Sequence, residues 1–187
     1  MVKESGNFKF TPTKIDGVVL IDVKKFGDNR GYFMETYKKD DFVSAGLCYD
    51  FVQDNQSKSK RGVLRGLHFQ KQHQQAKLVR CIDGEVFDVC VDLRKGSSTY
   101  GQWVGAILSS KRGNQILIPK GFAHGFVVLS ETAVFAYKCD ELYCPNDEGG
   151  IIYNDPSIAI EWPNLNKYIL SEKDKAHPLL KDIKIQL

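Results

Sequence analysis

The stretch KLVRCIDGEVFDVCVDL, Lys77 to Leu93, decides the fold class. Its two halves are rich in Val, Ile, Phe and Cys, the composition of pleated, half-buried backbone. Between them sits Asp83-Gly84, a dipeptide suited to a two-residue hairpin turn, so a β-hairpin is expected here. The same texture recurs on both sides. VVLIDV (18–23), GYFMETY (31–37), QWVGAILS (102–109), QILIP (115–119), GFVVLS (125–130) and TAVFAYK (132–138) all read as short strands. Helical patterning is confined to KKDDFVSAG (38–46) and to LSEKDKAHPLL (170–180), where Pro178 stops it. QSKSKRG (56–62) and QKQHQQA (70–76) read as solvated turns, and the opening arm MVKESGNFKFTP reads as too polar for a core. Many short strands joined by short turns imply an all-β sandwich, jelly roll or barrel with a few short peripheral helices. Without a linker or repeat, residues 1–187 read as one domain.

Composition narrows the function classes. The chain has 187 residues, 42% hydrophobic and 26% charged, enough apolar material for a real core. A net charge of +3 spread along the sequence argues against nucleic acid as a partner. The opening residues have no apolar leader and no run reaches membrane-spanning length, so no membrane partner is expected. Cys48, Cys81, Cys90, Cys139 and Cys144 are an odd number without a CxxC pair, which suits reduced thiols of a cytoplasmic protein.

Chemistry is suggested where polar residues interrupt strands. VLRGLHFQ (63–70) carries Arg65, Gly66 and His68 in the middle of a strand. Single histidines are weak signals: His73 and His177 read as solvated, and His68 and His124 as core imidazoles bonded to a backbone carbonyl. Joint occurrence changes the weighting. Alternation sets Lys77 on one face with Val79 and Cys81, Tyr137 with Phe135, and Glu35 with Phe33 and Tyr37. An interior that gathers Arg, His, Lys, Glu and Tyr reads as a polar pocket rather than a core. Strict alternation would put positions 65 and 68 on opposite faces, so a bulge near Gly66 is expected to re-aim them.

PKGFAHGF (119–126) resembles half of the cupin signature, a Pro-x-Gly turn before a histidine-bearing strand. The earlier His-x-His of metal-binding cupins is missing, since Phe69 and Gln70 follow His68. His68 and His124 alone would under-ligate a first-row metal, so a cupin-like barrel working without metal is expected. The series FGDNRGYFMETY, FVQDNQSKSKRGVLRGLHFQ, AKLVRCIDGEVFDVCVDLR, YGQWVG, IPKGFAHGF, YKCDELYCP and LSEKDKAHPLL then resembles the dTDP-4-dehydrorhamnose 3,5-epimerase family, from about Val18 to Leu180.

That resemblance implies a cupin-type jelly roll, a homodimer, no metal and no nicotinamide. It implies a nucleotide-sugar substrate, deoxythymidine diphosphate joined to a 4-keto-6-deoxyhexose. His68 matches the family's general base, Asp174 the carboxylate paired with it, and Tyr137 the general acid. Lys77 and His124 match groups beside the sugar ketone. Arg30, Glu35, Gln53, Asp54, Asn55, Arg65, Glu148 and Lys173 match substrate-binding positions. Tyr143 matches the aromatic that stacks on thymine, and Phe26 lies in a nucleotide-side segment. The departures, KRGN at 111–114 and Lys120 where an acidic residue is common, touch none of the catalytic motifs and bear only on surface properties. A single-site epimerase or ketoisomerase, a non-catalytic nucleotide-sugar-binding cupin and a metal-dependent oxygenase are the competing readings. The His68 and Asp174 pair argues against the second, and the absent His-x-His against the third.

Overall fold

The computed structural model describes residues 1–183; the expected domain runs on to 187, and residues 184–187 lie outside the described residues. In chain order the strands are β1 (Lys3–Ser5), β2 (Phe8–Pro12), β3 (Val19–Val23), β4 (Lys25–Asp28), β5 (Gly31–Met34), β6 (Gln53–Lys60), β7 (Leu64–Gln70), β8 (Lys77–Asp83), β9 (Glu85–Asp92), β10 (Trp103–Ser109), β11 (Gln115–Ile118), β12 (Phe122–Val128), β13 (Thr132–Cys139) and β14 (Glu148–Gly150). Two short helices among the described residues, α1 (Lys39–Ser44) and α2 (Glu172–Lys175), fall where helical patterning was expected.

The strands form an antiparallel jelly roll. One sheet has the order β1-β2-β3-β11-β8-β13-β6, the other β10-β9-β12-β7-β14, and β4-β5 is a separate ribbon. Side chains alternate across each strand, so each sheet feeds an inner and an outer core. Val79, Cys81, Val86, Cys90, Ile116, Ile118, Phe126 and Phe135 fill the space between the sheets. The outer face of the larger sheet buries Ile21, Leu78 and Leu117 under α1, through Phe42 and Ala45. The outer face of the smaller sheet buries Leu67, Phe69, Val89 and Val91 under Ile151 and Ile158. All five cysteines are free thiols, with Cys81, Cys90 and Cys139 buried in strands.

Three expectations are corrected. Asp83-Gly84 does not close a hairpin: β8 pairs with β11 and β13, whereas β9 pairs with β10 and β12 in the other sheet. The chain turns a corner between sheets at Gly84, φ +79°, where a Cβ would lie 2.2 Å from the Thr132 carbonyl oxygen. Glycine is required there by the close passage of the start of β13, not by a two-residue turn. QSKSKRG is mostly strand, not a solvated turn, because β6 pairs with β13 along its whole length. As an edge strand bordering a polar cavity it turns Asn55, Ser57 and Ser59 inward and Lys58 and Lys60 outward, which erases the apolar signal.

The opening arm is the third. It folds as the β1-β2 hairpin, and Phe8 and Phe10 are 3% and 2% exposed against Phe42. Two aromatics at alternate positions are enough to anchor an otherwise charged strand, each contributing about 1.5–3 kcal/mol by burial. Phe10→Ala is therefore expected to destabilise the protein by about 3–5 kcal/mol. A chemical-denaturation midpoint unchanged from the parent would show that the arm does not belong to the core.

Candidate active site

The site begins with a register break in β7. Opposite it on β12, His124 pairs with His68 and Phe126 with Arg65, so three steps on β7 face two steps on β12. The extra residue is the expected bulge. Gly66, at its centre, has φ +126°, and a Cβ there would lie 2.6 Å from the Cα of Gly125. No side chain fits between these strands. Leu67 enters the outer core, while Arg65 and His68 both line a cavity of about 290 Å³ between the two sheets. Ser59 accepts from Arg65 Nε and Nη2 at 3.2 and 3.1 Å, which holds the guanidinium at the cavity edge.

The cavity has two chemically different walls. The smaller sheet supplies Arg65, His68 and His124; the larger supplies Asn55, Lys77 and Tyr137, with Phe126 and Phe135 at the floor. Lys77 Nζ lies 5.9 Å from the centre of the Tyr137 ring. Burial pulls the Lys77 ammonium below its ordinary value, against the nearby Cys139 and Asp88. Burial also pushes the Tyr137 phenol up, so it keeps its proton; Cys139 adds to this and Arg65 opposes it.

Each histidine on the smaller sheet leans on a carboxylate. His68 Nε2 is 2.6 Å from Asp174 Oδ1, and His124 Nε2 is 2.8 Å from the fully buried Asp88 Oδ2. Asp174 arrives from far along the chain. Ile169 bridges to Val63, and Ser171 then caps α2 by accepting from the Asp174 amide at 3.1 Å. Burial raises the Asp174 carboxyl, but the hydrogen bond and charge of His68 outweigh it and leave the group below its ordinary value. A buried carboxylate fixed on Nε2 leaves Nδ1 as the ring nitrogen able to take a proton.

The comparisons fit this arrangement. A family model described as dTDP-4-dehydrorhamnose 3,5-epimerase matches residues 12–182. The chain belongs to that family. A protein of that name from Salmonella typhimurium is 55% identical over 90% of this chain and 93% of its own. One from Methanothermobacter thermautotrophicus is 52% identical over 90% and 92%. The crystal structure of the Legionella pneumophila dTDP-6-deoxy-D-glucose-3,5-epimerase in complex with dTDP-4-keto-L-rhamnose superposes with a TM-score of 0.92. It shares 51% identity and covers 94% of each chain.

Not all positions matched to the epimerase family meet in one place. Asn55, Arg65, His68, Lys77, His124 and Tyr137 line the cavity, and Glu148, Lys173 and Asp174 line an adjoining cleft that shares Arg65 and His68. Glu148 accepts from Tyr143 Oη at 2.7 Å and Lys173 Nζ at 2.5 Å; Gln53 accepts from the Tyr143 amide and donates to Asn55. Asp54 instead points outward to Lys138, 2.7 Å away. Phe26 and Arg30 lie on the β4-β5 ribbon, lining a separate cleft, and Glu35 sits beside Asn7. Glu35 therefore does not join the interior pocket, because β5 belongs to the ribbon and not to either sheet.

His177 corrects another expectation: it is not solvated. Its ring is 9% exposed, meets His68 edge-on at 5.5 Å, and packs where a Cβ on Gly150 would collide with it. The signal was its place three residues after Asp174, one helical turn away.

Gly66→Ala is expected to lower dTDP binding and turnover together, because the added methyl must displace Gly125 and with it the bulge that aims Arg65 and His68. Equilibrium dialysis with dTDP beside a turnover assay checks this. Parental values for both would mean that the bulge does not set the site.

Proposed function

We propose that this chain converts dTDP-4-dehydro-6-deoxy-D-glucose to dTDP-4-dehydro-L-rhamnose by inverting C3 and C5, in dTDP-L-rhamnose biosynthesis. One observation carries the reading: a histidine on one sheet, paired with a carboxylate from α2, faces a protonated phenol and a lysine on the other sheet. Inversion beside a ketone needs that separation, because a proton must leave one face of the carbon and another must arrive on the opposite face.

In this reading His68 takes the carbon-bound proton at Nδ1, and Asp174 holds the ring and stabilises the imidazolium. Negative charge moves to the C4 oxygen as the enolate forms. The Lys77 ammonium stabilises it, with His124, oriented by Asp88, as a second donor in a water-poor site. Tyr137 returns a proton from the far wall. Arg65 takes the diphosphate with its planar, two-pronged donor set, and Tyr143 stacks on thymine beside Glu148 and Lys173. No step calls for a metal or a nicotinamide. Both carbons are activated by the same ketone, so one acid–base pair serves both inversions.

The assembly proposed is a homodimer. Phe26, Tyr32 and Phe33 are 44%, 59% and 67% exposed on one ribbon, an apolar surface that a second copy would cover. In such a dimer the ribbon carries Phe26, Arg30 and Glu35 toward the neighbour's nucleotide. A cytoplasmic enzyme fits the free thiols; no helix among the described residues is long and apolar enough to cross a membrane.

Incubation with dTDP-4-dehydro-6-deoxy-D-glucose in heavy water tests the chemistry. Deuterium at both C3 and C5 of inverted product is expected. Label at one carbon would reduce the activity to a single epimerisation, and none would remove it. Sedimentation equilibrium at micromolar concentration tests the assembly, with twice the chain mass expected and a monomer counting against it.

A further inference from the structure

The imidazole of His177 has no part in the reaction proposed above, yet it is built into the site. Its side chain is more than nine-tenths buried and Nε2 has no hydrogen-bond partner. That nitrogen lies 3.6 Å from Asp174 Oδ1, the same oxygen that lies 2.6 Å from His68 Nε2. A buried, unpaired ring nitrogen beside a shared carboxylate is unfavourable unless something else meets it. Gly150 and the turn of α2 leave the ring little room to move away.

Three ligand-type atoms, two imidazole nitrogens and one carboxylate oxygen, lie within 4.8 Å of one another. We propose that His68, Asp174 and His177 bind a first-row divalent ion of the zinc class, and that its binding switches the enzyme off. The donor set, two nitrogens and one oxygen, is that of three-ligand zinc sites, and two of its members, His68 and Asp174, line the cleft. A tetrahedral ion with bonds of about 2.1 Å sets its ligand atoms roughly 3.4 Å apart. The 3.6 Å from His177 to Asp174 already fits, whereas His68 must leave its 2.6 Å contact with Asp174 and the two imidazole nitrogens, within 4.8 Å of each other, must settle at the same spacing. Glu148 adds negative charge on the same cleft, offset in part by Lys173.

The inhibition follows from the tautomer of His68. With Nε2 bonded to Asp174, Nδ1 is free to take a proton. An ion on Nε2 displaces the hydrogen there and leaves it on Nδ1, so the ring can no longer act as a base. This consequence rests on the role given to His68 above; the binding of the ion does not.

Two readouts separate them. Titration of chelator-treated protein with cobalt(II) is expected to give the visible bands of a four-coordinate ion at one equivalent. His177→Gln is expected to lose them. Zinc at micromolar concentration is expected to abolish turnover of the parent. His177→Gln should turn over within a few-fold of the parent in chelator and need at least about tenfold more zinc, since even outer-sphere changes weaken sites that much. His177→Asn provides a second variant should the first fold poorly. A cobalt spectrum of the parent indistinguishable from that in buffer, or zinc inhibition curves that superimpose, would overturn the site. Cobalt bands without zinc inhibition would overturn the switch and count against His68 as the base, leaving the ion site standing.

Discussion

The approach of Gly66 to Gly125 governs this site. A Cβ on either glycine would come within 2.6 Å of the opposite backbone, so β7 and β12 are bare where they cross. That closeness permits an extra residue in β7, and the extra residue reverses the facing of everything before it. Arg65 then shares a cavity with His68 although the two are three residues apart, while Leu67 between them feeds the outer core. Without the bulge, the Arg65 guanidinium and the His68 imidazole would lie on opposite sides of one sheet.

The remaining fold serves the separation of the two walls. Cores on both outer faces hold the sheets rigid from outside, so the mouth between them can be polar without weakening the packing. The acidic partners Asp88 and Asp174 are themselves buried, which fixes each imidazole instead of leaving it to solvent. Low polarizability around the cavity works in two directions. It disfavours the charged form of each group, bringing down the Lys77 ammonium and raising the Tyr137 phenol, which therefore keeps its proton.

Much of this was legible in the sequence. Most of the strand runs, both helices and the bulge follow from alternation, helical patterning and a misplaced glycine. His68, Lys77 and Tyr137 stood out because polar groups inside strands demand an explanation, and Asp174 came only from the family resemblance. What escaped was non-local. Phe8 and Phe10 looked like isolated aromatics in a charged arm until α1 covered them. The polar inward face of β6 makes sense only beside a cavity. Asp83-Gly84 has the chemistry of a hairpin, but the choice between a hairpin and a corner lies in which strands pair. His177 looked like a tail residue because Gly150, which receives its ring, is far away in the chain. Phe26, Arg30 and Glu35 remain apart from the cavity within one chain, and no local pattern marks a ribbon as separate from the sheets.

The central claim is that base and acid stand on opposite walls. It is tested most directly by Tyr137→Phe in heavy water, following exchange and inversion in the same sample. Loss of one positioned acid slows inversion by roughly 10²–10⁴-fold. Exchange through His68 should survive better, because the enolate still forms against Lys77 and is reprotonated from the side it left. The account therefore expects deuterium to enter substrate of unchanged configuration faster than inverted product appears. Equal losses of exchange and inversion, in a variant with parental thermal stability, would contradict it.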